Sequence, residues 1–223
     1  MTDSDWLEER RGFITASRLA DVCAKPTTAR YQDYAFELAC EREGALMDAG
    51  ESPHRSMRFG KAWEERAVRI YEGAHLEDIV EYYGTEKPKF VKWIDHHSIK
   101  KMQSLGMEQY IDGLKWFGSS PDGDVNKNGN IEVKLAMSVE VQGQRLSMGR
   151  PEKKHIYQTQ GILLANGRSW IDFISFCPSI QPVEDQWFEF RYYRDERFIA
   201  NLIVSISAFN TYVEELRPKA AAA

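Results

Sequence analysis

The sequence predicts an α/β fold, a mixed central sheet flanked by helices. Two observations carry this. The first half shows helical periodicity, with Phe59, Trp63, Ala67, Ile70 and Tyr71 at 3.6-residue spacing. The centre is rich in β-branched and aromatic runs, and helical and extended segments then alternate to the end.

The elements follow in order. Asp3 or Ser4 can cap a short helix that carries Trp6 and Leu7 and stops before Gly12; Phe13 and Ile14 form a brief apolar bridge. Thr15 then reads as the N-cap of a helix running to about Ala24, which Lys25 and Pro26 end. Helices are expected over 31–42 and 57–71. Strands are expected over 78–83, 90–94, 115–118 and 131–135. The Asn128-Gly129 pair gives a tight-turn signal between the last two. The stretch from 95 to about 113 reads as irregular. Helices at 138–148 and 153–165, strands at 170–176 and 187–193 and a final amphipathic helix over 195–216 complete the chain. No repeat is evident. The expected organisation is a single domain over 1–219, with 220–223 as a disordered tail or cloning remnant.

With 223 residues, 43% hydrophobic and 12% aromatic, the chain can bury a core unaided. Three widely spaced cysteines in apolar surroundings suit a reducing compartment. No apolar run approaches the roughly 18 residues of a membrane span, and Met1 to Trp6 lacks the features of a signal peptide, so a cytoplasmic protein is expected. The net charge of −5 argues against a DNA-coating protein but not against an enzyme with a local basic groove.

The chemistry concentrates at 122–134. On the strand 131–135, Ile131, Val133 and Leu135 share one face, and Glu132 and Lys134 the other. The turn brings Asp122 near them. Two carboxylates and an ammonium thus face one point. Oxygen ligands of this type, with the Val133 carbonyl, suit Mg²⁺, and the set suits phosphodiester hydrolysis, Lys134 orienting water or steadying developing charge. The same residues would equally form a solvated strand face with a weak ion pair. His96 and His97, expected on opposite faces of a strand, and the scattered His54, His75 and His155 do not make a zinc site. No P-loop or G-x-S-x-G is present.

Four blocks in order resemble the lambda exonuclease family, the YqaJ-like viral recombinase nucleases. They are Trp6, Arg10, Gly12 and Ile14 to Ser17 (W-x-x-x-R-x-G-x-I-T-A-S), Phe59, Gly60, Lys61 and Glu64 (aromatic-G-K-x-x-E), Ser120 to Gly123 with Glu132 and Lys134 (S-P-D-G…E-x-K), and Gln158 with Gln160 (Q-x-Q). The resemblance implies a restriction-endonuclease-like core of the PD-(D/E)xK type. It makes Asp122, Glu132, Glu64 and the Val133 carbonyl metal ligands, and Lys134 the catalytic lysine. Arg10, Ser17, Ser120 and Gln158 would bind a terminal 5′-phosphate. Met57 would take the place of the residue that wedges the duplex end, and Arg30 that of an arginine missing after Lys25-Pro26. No role attaches to 87–114.

It further implies a Mg²⁺-dependent enzyme, with Mn²⁺ able to substitute. That enzyme would degrade one strand of linear double-stranded DNA in the 5′-to-3′ direction from a 5′-phosphorylated end. The products would be 5′-mononucleotides and a 3′ overhang for a single-strand annealing protein. A homotrimeric ring, a phage or prophage gene and action in the bacterial cytoplasm complete the expectation. The alternatives are a structure- or sequence-selective endonuclease of the same fold and a DNA-end binder without catalysis.

Overall fold

The computed structural model describes residues 3–45, 55–84, 89–97 and 99–221, and of 3–6, 55–58, 61 and 219 the backbone only. Helix α1 (Asp3–Arg10) leads into β1 (Ile14–Thr15), a 3-10 turn (Ala16–Arg18), α2 (Leu19–Val22), α3 (Ala29–Arg42) and α4 (Arg55–Ala74). The centre holds β2 (Val80–Tyr82), β3 (Val91–Lys92), α5 (Trp93–His96), α6 (Ile99–Ser104), α7 (Glu108–Lys115), β4 (Phe117–Ser119), β5 (Gly123–Val125) and β6 (Gly129–Leu135). The chain closes with α8 (Val139–Met148), α9 (Lys154–Asn166), β7 (Trp170–Phe176), β8 (Trp187–Tyr193) and α10 (Glu196–Ala220).

Among the described residues the strands form two sheets rather than one. A five-stranded sheet has the order β2-β5-β6-β7-β8, and a three-stranded one the order β1-β4-β3. The larger sheet is mixed: β6 and β7 are parallel, the other pairs antiparallel. Alternation along β6 sorts its two faces. Ile131 and Val133 join Ile174, Phe176 and Ala67, Val68 and Tyr71 of α4 in one core. On the other face lies α9, whose Ile162 to Ala165 share a second core with α3 and α10.

Four expectations are corrected. Phe117 and Gly118 do not form a hairpin with β6; they belong to β4 in the small sheet, and β5 is the partner of β6. The turn between them is the three-residue 126–128, with Asn126 at φ 49°, and Gly129 is the first strand residue. A Cβ there would lie 2.2 Å from the Trp170 ring, so close approach, not turn conformation, explains this glycine. The stretch read as irregular contains α6 and α7, and residues 93–96 are helical rather than extended. His97 therefore stacks on Trp93 at 4.9 Å instead of sitting in a strand. The last helix continues through Ala220, so that residue is helical rather than tail.

Candidate active site

The site follows from a mismatch in strand length. β5 pairs only with 129–131, so β6 runs on without that neighbour. The next outward-facing amide on this edge, Val133 N–H, donates to Asp122 Oδ2 at 2.6 Å. A side-chain carboxylate thus takes the place of a strand. Because N–H and C=O of one strand residue point to the same edge, the Val133 carbonyl also faces Asp122 rather than β7.

Glu132 lies on the α9 face and is 2% exposed. Its Oε1 accepts from Lys134 Nζ and from Gln158 Nε2, both at 2.5 Å. Its Oε2 is buried without a hydrogen-bond partner. Glu64 reaches in from α4, and Tyr82 OH donates to its Oε1 at 3.0 Å. Burial, and then the charges of Glu132 and Glu64, push the Asp122 carboxyl well above the ordinary range; Lys134 and the Val133 amide offset only part of this. Burial acts to lower the Lys134 pKa, but attraction to Glu132, Asp122 and Glu64 outweighs it and holds the ammonium above its usual value. Burial, with Glu64 next, raises the Tyr82 hydroxyl, which stays a donor.

Asp122, Glu132, Lys134, Glu64 and Gln158 are therefore brought together. Gln158, expected at the phosphate pocket, spends its amide on Glu132. The other pocket residues follow from the register of the small sheet. β1 and β4 are parallel with Thr15 beside Gly118, so Ser17 and Ser120 both lie two residues beyond that paired position, Ser17 on the 3-10 turn that follows β1. α9 crosses the same place, where a Cβ on Gly161 would meet Leu19 and Ala16. Ser120 Oγ and Ser119 Oγ are buried without partners. Ser17 is exposed, and its hydroxyl lies 3.2 Å from that of Thr15. It sits on a 3-10 turn followed by a four-residue helix, not on the longer expected helix, so a helix dipole contributes little there. Arg10 ends α1 with Tyr34 and Glu41 as neighbours; burial lowers its pKa, and those two groups act in the opposite direction. The Met57 side chain lies outside the described residues, and Arg30 is exposed on the first turn of α3.

Tyr82 and Ser119 were not marked by the sequence reading. Nothing in a Val-Glu-Tyr strand signals that its phenol will meet a helix carboxylate 18 positions earlier. Ser119, by contrast, stands next to a motif serine.

A model of the YqaJ-like viral recombinase domain matches residues 5–164. The chain belongs to the YqaJ-like viral recombinase family. An alkaline exonuclease (LHK-Exo) from Laribacter hongkongensis is 30% identical, with a TM-score of 0.74 and 98% of each chain covered. The structure of LHK-Exo in complex with dAMP matches at the same identity and coverage, with a TM-score of 0.75. A phage related exonuclease from Haemophilus somnus 129PT, 14% identical with a TM-score of 0.62 over 93% of this chain and 96% of its own, shares the fold. No curated protein matches the sequence. The fold is thus that of the restriction-endonuclease-like alkaline exonucleases, and the family makes the chain a nuclease. No helix among the described residues is long and apolar enough to cross a membrane.

Proposed function

We propose that this nuclease is a Mg²⁺-dependent exonuclease acting on linear double-stranded DNA. It removes mononucleotides from one strand, 5′ to 3′, starting at a 5′-phosphorylated end, and leaves a 3′ overhang. The observation that carries the reading is the buried, unpartnered Glu132 Oε2 beside Asp122, Glu64 and the Val133 carbonyl at the open edge of β6.

The donors are all oxygen, the class that holds Mg²⁺ or Mn²⁺. No group of three His, Cys, Asp or Glu among the described residues is arranged to hold a metal by itself. Mg²⁺ needs only one or two carboxylates, with waters and substrate phosphate filling the remaining positions. Asp122, Glu132 and the Val133 carbonyl fit that requirement, and Glu64 adds charge nearby. The metal, when bound, polarises the phosphoryl oxygen and acidifies the attacking water.

The chain's own groups do the rest. Gln158 and Lys134 fix Glu132 by one oxygen and leave the other without a hydrogen-bond partner. Tyr82 holds Glu64. Lys134, a cation in a crowded acidic site, places a donor where charge develops on the phosphorus oxygens. Ser17 and Ser120 offer hydroxyls, and Arg10 a guanidinium, to the terminal 5′-phosphate. The same reading includes a homotrimeric ring, a single-strand annealing partner, and a phage or prophage gene acting in the bacterial cytoplasm; the viral recombinase family match supports it.

The test is digestion of a linear duplex carrying a 5′-phosphate at one end and a 5′-hydroxyl at the other, each labelled separately, with Mg²⁺ or with chelator. The phosphorylated strand is expected to shorten first, to mononucleotides, and only with metal. Cleavage of closed circular duplex would instead make the enzyme an endonuclease. A monomer by analytical ultracentrifugation would remove the ring.

A further inference from the structure

A charged cleft lies at the tip of the hairpin that carries the site, and none of the roles described so far uses it. A cavity of about 230 Å³ lies between the tip of the β5–β6 hairpin, the end of α9 and the start of β3. Its charged lining is Lys89, Lys127 and Arg168 against a single carboxylate, Asp124, with His96 at the side. In a chain of net charge −5 this is a local reversal of sign.

The acid is already satisfied. Arg168 Nη2 donates to Asp124, and Lys89 stands 3.6 Å from it. Arg168 is a clamp as well, since its Nη1 donates to the Gly129 carbonyl at 2.7 Å and to that of Asn126 at 3.2 Å. Lys127, exposed at the hairpin tip, has no carboxylate within ion-pair distance among the described residues. One negative charge is thus shared by two cations, while a third faces the cleft alone.

The cleft is tied to the catalytic edge through one residue. Tyr83 N–H donates to the Asp122 carbonyl at 3.0 Å, and Tyr83 OH accepts from Lys89 Nζ at 2.7 Å. From Asp122 to Asp124, which lines the cleft, the chain advances roughly 7 Å, at about 3.3 Å per strand residue. Duplex DNA rises about 3.4 Å per base pair, so a duplex running along β5 would cover that interval in about two base pairs.

We infer that this cleft is a phosphodiester-binding subsite that holds the DNA backbone a few nucleotides from the scissile bond. Its lysines supply charge and position, not sequence preference, because backbone phosphates carry no sequence information. The inference rests on the DNA exonuclease reading above.

The test compares duplex binding by fluorescence anisotropy over a salt series for the full chain, Lys89→Ala, Lys127→Ala, the charge reversal Lys127→Glu, and Lys115→Ala as a remote control. Each phosphate contact contributes about 0.9 to the slope of log K against log salt. Lys89→Ala and Lys127→Ala are therefore expected to flatten the slope by about 0.9 each and Lys127→Glu by at least as much, with Lys115→Ala unchanged. Wild-type slopes in all three cleft variants, from a parent that binds and digests duplex, would overturn the subsite and leave the exonuclease reading standing. A parent that neither binds nor digests duplex would overturn both. Titration with dAMP separates the two sources of phosphate. If the variants lose dAMP affinity but keep their duplex slope, the cleft receives released nucleotide and the backbone assignment falls.

Discussion

Replacing Tyr82 with Phe removes one oxygen and leaves the ring in place. That oxygen donates to Glu64 Oε1 at 3.0 Å, in a partly buried position on β2. A hydrogen bond to a charged group contributes about 1.5–3 kcal/mol, and groups that orient metal ligands typically change metal affinity about 10–100-fold. Because the bond is only partly buried, the lower end applies, about 1.4 kcal/mol or tenfold. The assay is the initial rate of nucleotide release from a linear duplex across a Mg²⁺ titration. For Tyr82→Phe the half-saturating Mg²⁺ concentration is expected to rise about tenfold, with the rate at saturating metal close to that of the parent. A titration curve that superimposes on the parent's would refute the idea that Tyr82 sets Glu64 for the metal.

Asp122→Ala is expected to abolish cleavage while duplex binding, measured by anisotropy, stays largely intact; it also strips the acceptor from Val133 N–H. Arg10→Ala should narrow the preference for 5′-phosphorylated over 5′-hydroxyl ends, and an unchanged ratio of rates would remove Arg10 from the phosphate pocket. Arg191→Ala strands Asp172, which is fully buried and accepts from Arg191 at 2.7 Å on each oxygen and from Tyr71 at 2.6 Å. Since Arg191 is itself about one-third exposed, the loss in urea unfolding should be about 3 kcal/mol, the low end for breaking a buried pair. His155 is 8% exposed, and burial lowers its imidazole to about 4, against the upward pull of Glu152. The unfolded chain then binds that proton more readily, so stability should fall as pH drops from about 6.5 towards 4, by up to about 3 kcal/mol. His155→Gln should flatten this limb when urea midpoints are compared at pH 7 and pH 5.

How much of this was legible depended on where the information lay along the chain. The strands at 170–176 and 187–193 and the face alternation of β6 were readable because seven consecutive residues record one pattern. α5 was not, since four residues cannot display a helical period and Trp93 with Ile94 resembles strand composition. α6 and α7 are short and separated by Gly106 at φ 69°. The division into two sheets depends on long-range pairing, such as Thr15 with Gly118, that no local signal encodes. Within the site, Asp122, Glu132 and Lys134 lie close in sequence and could be joined by strand geometry alone. Glu64 and Gln158 come from distant helices and needed the family pattern. Tyr82 had neither, and Asn128-Gly129 misled because a glycine required by a neighbouring indole looks the same in sequence as one required by a turn.

The short reach of β5 beside β6 has a consequence for how this chain can vary. An unpaired edge inside a sheet is ordinarily a place where foreign strands attach. Here the surplus backbone of the longer strand is occupied by a carboxylate from the residue just before the shorter one. Two more residues of pairing would give Val133 N–H a carbonyl partner and turn Asp122 away. Insertions or deletions in 120–123 should therefore erase the site even when every charged residue is retained. At this point in the chain, spacing is as much a part of the chemistry as charge.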